Sequence, residues 1–99
     1  MAIESTTVVD SSGIAHAAQC YLHDVTIGGL DGTNDMVVTI YDNASAASGT
    51  VLVPTHTIDA SALGLNGITF NVGRGCKNGV YVEISGGGTV DVTCGIEGW

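Results

Sequence analysis

Residues 36–53, MVVTIYDNASAASGTVLV, leave the chain little choice but to double back on itself. Met36, Val38 and Ile40 alternate with Val37, Thr39 and Tyr41, and successive side chains of a strand point to opposite faces, so this run buries at least one face as a strand. The spacing does not fit the apolar stripe of a helix. Asp42 and Asn43 then open a turn, because short Asx side chains hydrogen-bond nearby backbone and tolerate unusual φ. Gly49 supplies freedom before the β-branched Thr50 and Val51. The stretch predicts a β-hairpin.

The same two-residue period runs through the rest of the chain. Residues 5–10 make a short first strand, which is either an edge strand of its own domain or, with the rest of residues 1–13, an extended arm toward a neighbouring subunit. In residues 14–27 the parity breaks: Cys20 and Leu22 share one face, whereas Tyr21, Val25 and Ile27 share the other. Either a bulge near His23 and Asp24 reconciles them or both faces are partly buried. In TVLVPTHTI, residues 50–58, Pro54 lacks a ladder donor and so marks an edge strand or a break. Residues 59–65, DASALGL, offer the one plausible helical turn, capped by Asp59 or Ser61 and ended by Gly64. Three alternating runs follow, around Phe70, Val82 and Val92, and SGGGT at residues 85–89 reads as a tight hairpin between the last two. The count is about seven or eight short strands in one domain spanning residues 1–99. That favours an antiparallel β-sandwich, jelly-roll-like or immunoglobulin-like.

Charge narrows the partners. Ten carboxylates stand against only Arg74 and Lys77, a formal net charge of -8, which repels polyanions and removes the counterion release that drives nucleic-acid binding. DNA, RNA and anionic membrane surfaces are therefore not expected partners. No apolar run approaches the roughly 20 residues of a membrane-spanning helix, and the first residues resemble no secretory signal, so synthesis in a cytoplasm is expected. The three cysteines, Cys20, Cys76 and Cys94, match no CxxC pattern. They read as buried thiols, or as a source of one disulfide whose pair the sequence does not choose.

Chemistry-bearing groups are sparse. Asp31, Asn34 and Asp35 offer oxygen ligands, but an EF-hand loop starting at Asp31 needs glycine where Met36 stands and glutamate where Asp42 stands. His16, His23 and His56 lack the spacing of a zinc site or a hydrolase triad. The expectation is a protein without catalytic residues, metal or cofactor. Both cations lie in GRGCKNG, residues 73–79, where Arg74 and Lys77 are candidates to dock an acidic groove on a partner. Trp99, the single tryptophan, is a third interface candidate, since indoles bury a large area at low entropic cost. Tyr21, Tyr41, Tyr81 and Trp99 are the aromatics from which a carbohydrate platform would have to be built, and they are scattered along the chain.

IYDNASAASGTVL, followed by ITFNVG, NGVYVEISGGG and VDVTCG, resembles a family of small all-β proteins encoded in tailed-phage structural modules. The likeness covers residues 36–95 and rests on Tyr41-Asp42 before a small-residue turn together with Gly79-Val80-Tyr81-Val82 before a glycine run. It implies a virion structural protein of the capsid decoration, or cement, type. Such a protein binds the major capsid protein on the outside of the assembled bacteriophage shell and stabilises it by binding alone. A homo-oligomer, a trimer by the symmetry such a lattice offers, is the expected assembly. The alternatives are a tail or head-fibre component that touches a host surface, and a carbohydrate-binding sandwich module.

Overall fold

The computed structural model describes residues 4–59 and 67–98. Within them the chain forms β1 (Glu4–Val9), β2 (Gly13–His16), β3 (Cys20–Gly28), β4 (Met36–Asp42), β5 (Thr50–Ile58), β6 (Ile68–Cys76), β7 (Val80–Gly86) and β8 (Asp91–Gly98). Two four-stranded sheets result, ordered β1-β8-β3-β6 and β2-β7-β4-β5, and every pairing is antiparallel. This is the expected all-β sandwich. Of the two topologies left open by the sequence, the strand order is that of a jelly roll, with eight strands in two interleaved sheets.

Only β4 and β5 are consecutive strands that neighbour each other in one sheet; every other connection between described strands crosses the sandwich. The hairpin read from residues 36–53 is therefore a true hairpin. The reading of residues 85–89 as a second hairpin is corrected, because β7 lies between β2 and β4 in one sheet whereas β8 lies between β1 and β3 in the other. Alternation identifies a strand but not the sheet that receives it, and a glycine-rich link serves a crossover as well as a hairpin.

The core forms where the inner faces meet. Leu22, Val25 and Ile27 of β3, Val38 and Ile40 of β4, Val80 and Val82 of β7, and Val92 and Ile96 of β8 are all buried. Each contributes on the order of 1.5–3 kcal/mol by leaving water. On β3 the pairing shifts between Leu22 and Asp24 against both neighbours, which is the bulge expected from the parity break. One extra residue turns Cys20 and Leu22 inward on one side of it and Val25 and Ile27 inward on the other.

Edges are blunted by composition. β5 is an edge strand, the first of the two outcomes that Pro54 left open, and between the pairs Val38↔His56 and Ile40↔Val53 one residue of β4 faces two of β5. Pro54 thus occupies a bulge on an edge, where a missing donor is harmless. Glu4–Val9 lies antiparallel on β8 as the edge strand of the other sheet. The helical turn expected over residues 59–65 falls, apart from Asp59, outside the described residues, as does Trp99.

Candidate partner-binding face

The turn after β4 and the turn after β6 are held by two adjacent side chains with different tasks. Asn43 organises its own hairpin: its Oδ1 accepts from the backbone N–H of Ser45 at 2.8 Å and of Ala46 at 2.9 Å, and its Nδ2 donates to the Ser48 carbonyl at 3.1 Å. Asp42, expected in that same turn, points the other way. Its buried carboxylate accepts from the backbone N–H groups of Lys77 (3.0 Å), Asn78 (2.8 Å) and Gly79 (3.3 Å). Burial pushes the Asp42 pKa up, but these three donors and the Arg74 charge outweigh it and hold the carboxyl below its ordinary value. Gly79 adopts φ 148°, and a Cβ there would run into the His16 carbonyl, so the turn admits only glycine at this position.

This anchor fixes the register of an apolar row on the outer face of the β2-β7-β4-β5 sheet. Ile14 pairs with Tyr81, Tyr81 with Tyr41, and Tyr41 with Val51, so four side chains cross the whole sheet in line. Three inter-strand spacings make the row about 14 Å long. Its end members, Ile14 at 47% and Val51 at 39% exposure, are the large hydrophobic side chains most open to solvent among the described residues. Beside the row, the Tyr41 hydroxyl donates to Glu83 Oε1 at 3.5 Å and the Thr39 and Thr55 hydroxyls meet at 2.7 Å.

Charge is absent from this face to an unusual degree. The four strands carry two of the chain's ten carboxylates, Asp42 and Glu83, and Asp42 is turned inward. Glu83 is thus the sole formal charge on the outer side of this sheet. The other sheet bears Glu4, Asp24, Asp91 and Glu97, with Glu97 Oε1 2.7 Å from His23 Nε2.

Arg74 stands at the Val51 end of the row. Its Nη1 donates to the Val51 carbonyl at 3.2 Å, tying edge strand β6 to edge strand β5. Between these edges lies a cleft of about 210 Å³ lined by Leu52, Pro54, Phe70, Val72 and Arg74, with His56 beside Phe70 at a ring separation of 4.8 Å. That is below the roughly 300–1,000 Å³ of small-molecule sites, so the cleft extends the surface rather than enclosing a ligand. Lys77 is exposed on the turn that Asp42 holds. The structure therefore brings Arg74 into contact with Val51 at one end of the apolar row and leaves Lys77 on the turn between Cys76 and Val80.

The other groups weighed in the sequence do not converge. Asp31 Oδ1 accepts from the N–H groups of Thr33 and Asn34, both at 2.8 Å, and its Oδ2 accepts from Asn34 Nδ2, so both oxygens serve their own loop. His16 lies on β2, His23 on the outside of the opposite sheet, and His56 at the cleft, bonded to the Pro54 carbonyl at 2.6 Å. Among the described residues no three His, Cys, Asp or Glu side chains are placed to share a metal ion.

Tyr41 and Tyr81, far apart in sequence, are neighbours in space, whereas Tyr21 sits on β3 in the opposite sheet. Sequence parity turns both tyrosines outward, since each is out of phase with the buried apolar residues of its strand. Their alignment with Ile14 and Val51 needed the register of three strand pairs, which no local pattern carries. The fold and face define the class: a small jelly-roll sandwich with an apolar-striped sheet surface whose single formal charge is Glu83. Comparison with protein-family models, curated proteins and solved structures found no match.

Proposed function

We propose that this chain is a bacteriophage virion structural protein of the decoration type, which docks on the outside of the assembled capsid and stabilises it. The observation that carries the reading is the outer face of the β2-β7-β4-β5 sheet, a surface with one formal charge and an unbroken apolar row on a protein of net charge -8. Such a face can approach a large partner without the repulsion that the rest of the surface would bring. Apart from Ile14, the row belongs to the residues that carry the resemblance to phage structural proteins, for Tyr41-Asp42 and Gly79-Val80-Tyr81-Val82 form one contact, joined by the Tyr41↔Tyr81 pair and the Asp42 anchor.

Size favours several copies acting together. Strands about 4.8 Å apart, three of them overlapping over about six residues and β2 over about four, present roughly 350 Å², less than half of the about 800 Å² per partner of a stable interface. One copy alone would bind weakly. A homo-oligomer matched to the symmetry of the shell, with a trimer as the working assignment, makes several such contacts at high effective concentration. Arg74, at the Val51 end of the row, and Lys77, on the turn before β7, would add ionic contacts to an acidic groove of the major capsid protein.

The test is direct binding. Purified chain is mixed with capsids lacking it and sedimented. The reading expects saturation at a simple ratio to the shell subunit and a rise in the temperature at which the shells rupture. No cosedimentation would refute it. A second reading, a carbohydrate-binding module, is favoured by Tyr41 and Tyr81 standing side by side with the Glu83 carboxylate in reach. A glycan array distinguishes the two. Binding to a host surface glycan together with no binding to capsids would move the protein to a tail or head-fibre role.

A further inference from the structure

Cys20 and Cys76 are direct partners at the end of the β3–β6 ladder, and both side chains are buried. Opposite residues of an antiparallel pair have Cα atoms about 4.5–5.5 Å apart, inside the roughly 4.4–6.8 Å that a disulfide spans. We propose that Cys20 and Cys76 form a disulfide site that closes when the protein passes from a reducing cytoplasm to an oxidising medium containing a low-molecular-weight disulfide such as oxidised glutathione.

Strand register, rather than distance, separates this pair from the third cysteine, for the charge of Cys20 also raises the Cys94 pKa, after burial and the Asp24 charge. Cys94 lies in the middle of β8, where its register partners are Thr7 and Val25. It has no cysteine opposite it. Cys20 follows the exposed residues Ala17, Ala18 and Gln19, and Cys76 precedes exposed Lys77 and Asn78, so fraying at this one end of the ladder opens both thiols together.

Burial raises the Cys20 pKa, and a hydrogen bond from Cys76 partly offsets that rise. Cys76 is pushed up to about 12, by burial first and then by the charge of Cys20. The hydrogen bond that Cys76 donates favours the thiolate on Cys20. This thiolate attacks one sulfur of glutathione disulfide, the S–S bond breaks, and one glutathione leaves as a thiolate that takes up a proton. Cys76, deprotonated in turn, attacks the Cys20 sulfur of the mixed disulfide and expels the second glutathione. Two protein thiols lose two electrons and two protons, and one glutathione disulfide becomes two glutathione thiols.

The bond would tie the start of β3 to the end of β6, beside the turn that Asp42 anchors and that carries Lys77. It would close a loop of more than half the chain, which constrains the unfolded state strongly. The inference rests on strand register and does not depend on the virion reading.

The experiment uses the full chain, incubated with oxidised glutathione or with a phosphine reductant, then analysed by intact mass, non-reducing peptide mapping and thermal unfolding. The expected result is a monomer lighter than the reduced form by about 2 Da, the two thiol hydrogens. A peptide joining Cys20 to Cys76 should appear, with Cys94 alkylated only after unfolding. The melting temperature should rise by roughly 10 °C or more. Cys94→Ser should behave as the wild type, and Cys76→Ser should lose the cross-link. A wild-type map with no cross-link, a link to Cys94, or a disulfide between two chains would overturn the assignment, whether or not the variants fold.

Discussion

Replacing Asp42 by asparagine keeps the shape of the side chain and removes its charge and one acceptor. The carboxylate receives three backbone N–H groups, from Asn78 at 2.8 Å, Lys77 at 3.0 Å and Gly79 at 3.3 Å. Hydrogen bonds to a charged group contribute about 1.5–3 kcal/mol each, and the amide keeps one oxygen while turning its NH₂ group toward the remaining donors. The two shorter bonds dominate, so Asp42→Asn should cost about 2–4 kcal/mol. For a domain of this size that lowers the melting temperature by roughly 10–25 °C. Because the folded-state pKa of Asp42 is depressed, its contribution is fully present above the unfolded value of 3.8 and is lost as pH falls through the lower folded value. The stability gap between wild type and Asp42→Asn, read from urea unfolding, should therefore be constant from pH 7 to about pH 5 and shrink below about pH 4. The other carboxylates are common to both proteins and cancel in the difference. A gap under about 0.5 kcal/mol at pH 7, or one as large at pH 3 as at pH 7, would refute the assignment of Asp42 as the anchor of the 77–79 turn.

Gly79→Ala places a Cβ against the His16 carbonyl at φ 148° and should cost about 2–4 kcal/mol in chemical denaturation, whereas Gly28→Ala, which meets open space, should stay within about 1 kcal/mol. Val51→Asp adds a carboxylate to the exposed end of the apolar row and should weaken capsid binding roughly tenfold or more in sedimentation, with the melting temperature little changed. Arg74→Ala, at the same end, should act in the same direction and more weakly, since its guanidinium is exposed.

Much of the fold was legible because local patterns are faithful where the sheet has one buried face. Alternation in residues 36–40 found β4, Pro54 found an edge, and the parity break between Leu22 and Val25 found the bulge on β3. What the pattern missed was long-range. The glycines at 86–88 permit a reversal or a crossover equally, and the choice is made by β7 pairing with β2 and β4, strands more than 35 residues away in sequence. The candidate face was lost for the same reason. Tyr41 and Tyr81 were recognisable as outward aromatics, but Ile14 and Val51 join them only through three registers. Asp42 was assigned to its own hairpin because Asx residues open turns. Its partners lie 35 to 37 residues downstream, and no local signal reveals them.

The most direct test of the proposal that this is a phage virion protein is the copy number of this chain in purified virions from its source, by quantitative mass spectrometry against the major capsid protein. The account predicts many copies at a simple ratio to the shell subunit. A few copies per particle would assign the protein to the tail or fibres, and its absence from the particle would contradict the virion reading.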